Sequence, residues 1–150
     1  MPTTKGVLIC LDLSSVADRV LEEGANLAKA LGVGAILLHV AAPEPDFIGY
    51  DNSGIYTRQR RADELRDEHA TLQDLATKLT EQGTPTLPLL VKGVITQVIL
   101  EQAEKHDSRL VVAGSHGHGA LHRFLIGSTA DALVRRCTRT LVLVPVHDED

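Results

Sequence analysis

The sequence predicts an α/β fold in which helices cover both faces of a single, doubly wound, five-stranded parallel sheet. Short apolar runs alternate with amphipathic helical patterns along the whole length of 150 residues. Runs that are apolar at nearly every position are typical of parallel strands buried on both faces. The connecting segments are long enough for right-handed parallel crossovers, and none has the composition of an interdomain linker. We therefore predict one domain, residues 1–150.

The first two strands are separated by one helix with clear boundaries. Residues 6–12 (GVLICLD) form the first apolar run, and Ser15 lies where the following helix needs an N-cap. That helix carries an apolar stripe, and Gly32 and Gly34 end it. Residues 35–40 (AILLHV) are the second strand.

The middle of the chain is less regular. Residues 41–56 contain two prolines and two glycines, and we interpret them as a long loop, which is either a functional lid or a disordered segment. A long helix follows and ends at Gly83 and Pro85. Residues 86–91 are the third strand, in which Pro88 indicates an edge position or distorted pairing.

The last part of the chain holds the most informative segment. An apolar stripe over residues 95–103 predicts a third helix, and residues 110–113 (LVVA) predict the fourth strand. The glycine-rich segment 114–129, GSHGHGALHRFLIGST, follows at once. A final helix leads from it to the fifth strand, from Leu141 to Val146, which we place at the sheet edge.

The glycine-rich segment has the spacing G-x2-G-x9-G-S-T, formed by Gly114, Gly117 and Gly127 and then Ser128 and Thr129. Glycine lets the backbone approach a ligand closely. The hydroxyl pair would open a helix whose first amides lack partners and carry the positive end of its dipole. These features predict a polyphosphate site, and so a nucleotide site. Neither the lysine-centred P-loop pattern nor G-x-G-x-x-G after the first strand is present.

Open parallel sheets bind ligands beyond the carboxyl ends of their strands. Asp12 leaves the first strand there, where its carboxylate would accept ribose hydroxyls, hold a metal-bound water, or cap the next helix. Val40 and Ala41 end the second strand, where they would either line a purine or simply pack the strand end.

Composition excludes several other functions. The net charge is -5, there is no Trp, and no basic block accompanies aromatic residues, which argues against nucleic acid as a partner. No run approaches the roughly 18 apolar residues of a membrane span. Two cysteines, Cys10 and Cys137, fit free and mostly inert thiols in a reducing compartment. We therefore expect a soluble, cytoplasmic protein.

A dedicated transition-metal site is not predicted. His116, His118 and His122 share a loop with flexible glycines, and no carboxylate or thiolate joins them locally. Mg²⁺ would instead arrive with nucleotide phosphates and keep several waters, with Asp12 as a candidate ligand.

Taken together, these residues resemble the universal stress protein family, specifically its ATP-binding branch, whose signature is G-x2-G-x9-G-[ST]. The resemblance covers nearly the whole chain, including VKG at residues 91–93, LVVAGSHGHG, LIGSTADALVRRC and LVLVPV. It implies an adenine nucleotide alpha hydrolase-like fold with strand order 3-2-1-4-5. It also implies binding of ATP (or ADP or AMP), with Mg²⁺, and a homodimer paired through the strand from Leu141 to Val146.

Carried over position by position, the resemblance implies three groups of nucleotide contacts. They are Leu11, Asp12 and Val40 around adenine and ribose; Ala113, Gly114, His116 and Gly117 along ribose and phosphates; and Gly127, Ser128 and Thr129 at the phosphates. Two positions depart from the family pattern. His118 stands where relatives often have Arg or Lys, and Ala130 replaces a further hydroxyl residue. Arg123, or the group Arg58, Arg60 and Arg61, are candidates to replace that charge, although solvated surface positions fit them as well.

Three functions remain open at this point. The first is a regulatory or stress-response module whose bound nucleotide alters contacts within a dimer or with an unidentified protein partner. The second is a slow Mg-dependent ATPase or phosphotransferase, for which no convincing general base accompanies Asp12. The third is a nucleotide-free interaction module, which the retained glycine spacing disfavours.

Overall fold

The computed structural model describes residues 5–13, 17–43, 53–115 and 127–145. Strands and helices alternate within these ranges: β1 (Val7–Cys10), α1 (Ala17–Leu31), β2 (Ala35–Ala41), α2 (Ser53–Glu81), β3 (Thr86–Lys92), α3 (Ile95–Lys105), β4 (Leu110–Gly114), α4 (Ser128–Arg136) and β5 (Thr140–Val144). All strand pairs are parallel, and the sheet order is β3-β2-β1-β4-β5. The predicted fold class and strand order are confirmed.

The central strand β1 is packed on both faces. Val7 and Ile9 join a core cluster with α1 and α2, whereas Leu8 joins a second cluster with α3 and α4. Successive side chains of a strand point to opposite faces, so a short apolar run serves both layers. All three side chains are fully buried. This packing fixes the carboxyl end of β1 between its neighbours β2 and β4.

The two edge strands differ from each other. β3 is an edge strand, as Pro88 indicated, and Pro88 is in register with Leu37 of β2. β5 forms the opposite edge. It begins at Thr140 and ends at Val144, so the predicted extension to Val146 is wrong for Pro145, which has no amide hydrogen for the ladder. Val146 lies outside the described residues.

The predicted loop of residues 41–56 is too long at both ends. β2 includes Ala41, and α2 already begins at Ser53. Periodicity did not reveal the start of α2 because Arg58, Gln59 and Arg60 are all exposed, so the helix has no apolar stripe there. Residues 44–52 lie outside the described ranges, as does Ser15 before α1. No helix in the described part of the chain is long and apolar enough to span a membrane.

Candidate functional site

The carboxyl end of β1 opens the candidate site. Leu11 extends the strand's hydrogen bonding by donating its amide to the Leu38 carbonyl at 2.8 Å, and its side chain is buried. Asp12 follows and is exposed. At Leu13 the backbone adopts a φ of 61°, a left-handed conformation that turns the chain away from the sheet. Asp12 therefore lies on a sharp turn at the carboxyl edge.

The start of α4 is held directly beside the end of β4. Ser115 donates its amide to the Val144 carbonyl at 2.9 Å, and Gly127 donates its amide to the Ser115 carbonyl at 2.8 Å. The two ends of the glycine-rich segment are thus joined, although residues 116–126 lie outside the described ranges. The helix start predicted from Ser128 and Thr129 is confirmed.

That helix start has the properties of an anion site. Gly127 is the N-cap, with φ -60° and ψ 155°, and none of the described side chains caps the helix. The first intrahelical bond runs from the Asp131 amide to the Gly127 carbonyl at 2.9 Å. Helix geometry leaves the preceding amides without intrahelical carbonyl partners, at the positive end of the helix dipole. These amides are suited to bind phosphate oxygens.

The sheet order brings most of the predicted site residues to one edge. Strands β2, β1 and β4 are neighbours, and the residues at their carboxyl ends or at the start of α4 are Leu11, Asp12, Val40, Ala113, Gly114, Gly127, Ser128 and Thr129. Leu11 and Ala113 are buried and Val40 is half-buried, whereas Asp12 and Ser128 are exposed. The edge therefore combines an apolar floor with a polar rim. His116 and Gly117 lie outside the described residues.

Two side chains connect α2 to this edge: His39, which sequence reasoning did not name, and Arg61, which it named only as a candidate phosphate charge. His39 lies one residue before Val40, with its Nδ1 2.8 Å from the Leu11 carbonyl oxygen and its Nε2 3.4 Å from Glu68 Oε2. Arg61 donates from Nη2 to the Ala42 carbonyl at 2.9 Å. In the sequence, the one feature that could have indicated the role of His39 was its position as a polar residue in an otherwise apolar strand.

The arginine group of α2 is already engaged in local contacts. Besides its bond to Ala42, Arg61 lies 3.7 Å from Glu64, and Arg60 lies 3.8 Å from the same carboxylate. Arg58 is exposed. Arg61 therefore braces the end of β2 in this structure, whereas Arg123, the other candidate, falls outside the described residues.

The two cysteines behave as the sequence predicts. Both are free, and both pack against the cluster beneath α3 and α4. Burial, with a smaller effect of the nearby Cys137, raises the pKa of the Cys10 thiol from 9.0 to about 12. A thiol that keeps its proton is a poor nucleophile and a poor metal ligand. Cys10 lies at the end of β1 but is not suited to chemistry there.

The described residues do not form a metal cage. Within residues 5–13, 17–43, 53–115 and 127–145, no group of three or more His, Cys, Asp or Glu side chains converges to hold an ion. His116, His118 and His122 lie outside these ranges. The exposed Asp12 lies at the carboxyl edge without being part of such a group.

Comparison with known proteins agrees with this architecture. The model of the "Universal stress protein family" matches residues 3–145. A universal stress protein of Thermus aquaticus is 27% identical over 143 residues, which cover 93% of this chain and 98% of that protein. The solved universal stress protein UspA of Lactobacillus plantarum is 19% identical, covers 94% of this chain and 97% of its own, and gives a TM-score of 0.77.

Two further solved structures of similar fold contain adenine nucleotides. One is a universal stress protein in complex with cAMP, at 19% identity and a TM-score of 0.70, covering 95% of this chain and 98% of that one. The other is the universal stress protein from Archaeoglobus fulgidus in complex with dAMP, at 20% identity and a TM-score of 0.63, with the same coverages. At these identities the likeness shows the shared fold.

Proposed function

The chain belongs to the universal stress protein family, and from that premise we propose that it binds an adenine nucleotide, ATP foremost, at the carboxyl edge of its sheet. In this proposal the protein is a regulatory or stress-response module, and its nucleotide state alters contacts within a dimer or with a protein partner. The complexes of two structural neighbours with cAMP and dAMP support the choice of ligand class.

The observation that carries the proposal is the bond from the Gly127 amide to the Ser115 carbonyl. Because of this bond, an N-terminus without a side-chain cap lies next to the end of β4 and one strand away from the Asp12 turn. A phosphate chain on the α4 amides would then be connected through its ribose to a base near the apolar floor. The proposal therefore uses polar and apolar features at one edge of the sheet, which a nucleotide would engage together and a free anion would not.

The individual roles follow from chemistry and position. We assign adenine and ribose to Leu11, Asp12 and Val40, the ribose–phosphate link to Ala113, Gly114, His116 and Gly117, and the phosphates to Gly127, Ser128 and Thr129. Asp12 would accept ribose hydroxyls or contact a water of a phosphate-bound Mg²⁺. The exposed hydroxyl of Ser128 adds a donor beside the helix amides.

We further propose a homodimer formed through β5. Of the two edge strands, β3 contains Pro88, which lacks a donor, whereas β5 (Thr140–Val144) contains no proline. Leu141, Val142 and Leu143 are only half-buried, and Val134 of the neighbouring α4 is 58% exposed. A second copy paired along β5 would cover these apolar groups. Sedimentation should then show a dimer, and a monomer at every concentration would contradict this part.

We place the protein in the cytoplasm, where its two free thiols would stay reduced.

Binding of the nucleotide, rather than its hydrolysis, is the function proposed. At the described edge the imidazole of His39 is engaged with Leu11 and Glu68, so it does not accompany Asp12 as a base.

Calorimetric titration with ATP and Mg²⁺ tests the binding proposal. Gly127→Val should weaken binding about 100-fold, because the side chain keeps phosphate from roughly two charge-assisted hydrogen bonds with the helix amides. The backbone at Gly127 has a φ of -60°, which valine adopts without strain, so the variant should still fold.

The matched control is Gly32→Val at the end of α1, near the opposite end of the strands, where a φ of 68° makes valine costly to the fold; its affinity for ATP should be unchanged. Equal affinity of the wild type and Gly127→Val would show that α4 does not bind the phosphates. An equal loss of affinity in both variants would point to stability rather than to the site.

A further inference from the structure

His39 occupies a position that connects three elements. It lies on β2 with only 12% of its side chain exposed, and its Nδ1 is 2.8 Å from the Leu11 carbonyl oxygen after β1. Its Nε2 is 3.4 Å from Oε2 of Glu68 on α2. That carboxylate oxygen is buried and makes no hydrogen bond among the described residues, so the contact is a close approach of the two groups rather than an aligned hydrogen bond.

The chemistry of the partners determines where the imidazole carries its proton. A carbonyl oxygen only accepts hydrogen bonds, so the contact with Leu11 requires a proton on Nδ1. The carboxylate of Glu68 faces the other nitrogen and becomes an ion-pair partner whenever the ring also carries a proton on Nε2. The imidazole is therefore oriented from two sides, as carbonyl and carboxylate partners fix the ring orientation of functional histidines in other proteins.

The Leu11 carbonyl precedes the turn that carries Asp12. The turn is unusual because Leu13 has a φ of 61°, a conformation that persists in a non-glycine residue only when its surroundings enforce it. The Leu11 amide is bound to Leu38, and the His39 ring secures the carbonyl of the same residue. Both polar backbone groups of Leu11 are thus held by β2.

We propose that His39 is a positioning residue for the nucleotide site: its Nδ1–H fixes the Leu11 carbonyl and the following Asp12 turn, and Glu68 of α2 holds the ring in place. The inference rests on the proposed nucleotide binding. A second link supports the same arrangement, because Arg61 on the same helix bonds to the Ala42 carbonyl at the end of β2. Both contacts link α2 to the carboxyl ends of the strands, next to the predicted base and ribose contacts.

Two substitutions separate the two nitrogens of the ring. Asparagine places an amide donor near the position of Nδ1, whereas glutamine places its amide near that of Nε2. His39→Asn should bind ATP within about twofold of wild type, and His39→Gln should bind about fivefold more weakly, as expected for one lost hydrogen bond. His69→Gln, on an exposed neighbour of Glu68 in α2, is the matched control and should bind as wild type does.

A comparison of ATP with AMP separates an effect on the base and ribose half of the site from an effect on the phosphate half, whereas the difference between the Asn and Gln variants separates positioning from a general loosening of the fold. Because His39 acts on the base and ribose half, His39→Gln should weaken both nucleotides by the same factor and leave their affinity ratio unchanged. Equal affinities of the Asn and Gln variants, or a changed ratio, would overturn the inference while the proposed function stands. Absence of ATP binding by the wild type would overturn both.

The wild-type protein provides a test that needs no variant to fold. In a two-bond ¹H–¹⁵N spectrum of the imidazoles, His39 should show a protonated Nδ1, both without and with ATP. A ring with a bare Nδ1 cannot donate to Leu11 and would refute the inference. The same spectrum decides the matter if His39→Gln fails to fold.

Discussion

Replacing Gly24 with alanine would insert a methyl group between α1 and the central strand. The new Cβ would lie 2.7 Å from both Cδ1 and Cγ1 of Ile9, and 3.3 Å from its Cγ2. Carbon atoms pack best at about 3.5–4.0 Å, so the isoleucine or the helix has to shift. Ile9 is fully buried and β-branched, so it has few other rotamers available.

Two opposing effects set the size of the change. Overpacking of a filled core costs about 1–3 kcal/mol. Alanine in place of glycine inside a helix gains about 1 kcal/mol. The clash at Ile9 is direct and involves two atoms, so overpacking should win. We expect the free energy of unfolding to fall by about 1–2 kcal/mol.

Urea unfolding followed by circular dichroism measures this difference. Gly24→Ala should lower the transition midpoint without changing its slope, since the surface exposed on unfolding stays the same. Equal or greater stability of the variant would show that α1 does not sit as tightly on β1 as the distances to Ile9 indicate. The reasoning about this core would then be refuted.

Two other predictions concern the same fold. Leu133 is fully buried whereas Arg136 of the same helix is exposed. Leu133→Ala should therefore cost about 2–4 kcal/mol in urea unfolding and Arg136→Ala less than about 0.5 kcal/mol; similar costs would show that α4 is rotated from the position described. Burial raises the pKa of Cys10 from 9.0 to about 12, so the folded state keeps this proton where the unfolded state loses it. The free energy of unfolding should fall as pH rises from 9.0 towards 12. The fall should be smaller in Cys10→Ala, and identical pH profiles would contradict the burial of this thiol.

The fold was largely predictable because its elements are marked locally. Continuous apolar runs such as residues 35–40 are typical of strands packed on both faces, and Pro88 indicated the β3 edge correctly. The start of α2 at Ser53 was not predictable from periodicity, since the charged residues Arg58 and Arg60 are exposed and interrupt any regular apolar spacing there.

The candidate site was predictable in outline but not in its supports. Glycine spacing and the carboxyl-edge rule indicated Gly127 and Asp12 from the sequence. The bridge from His39 to Glu68 joins positions 29 apart. The apolar stripe of α2 shows which face packs on the sheet, through residues such as Leu72 and Ala76, but not which charged residue of that face meets a strand. Contacts of this kind depend on helix rotation and strand register, which one sequence does not encode as a local pattern.

The central claim is that ATP lies between the β1 turn and the start of α4. Titration of ¹⁵N-labelled protein with ATP and Mg²⁺, followed by amide spectra, tests it most directly. We predict the largest shifts at Leu11, Asp12, Gly127, Ser128 and Thr129, with small shifts at the opposite end of the sheet near residues 106–109. Shifts centred on that opposite end, or no shifts at all, would contradict the proposed site.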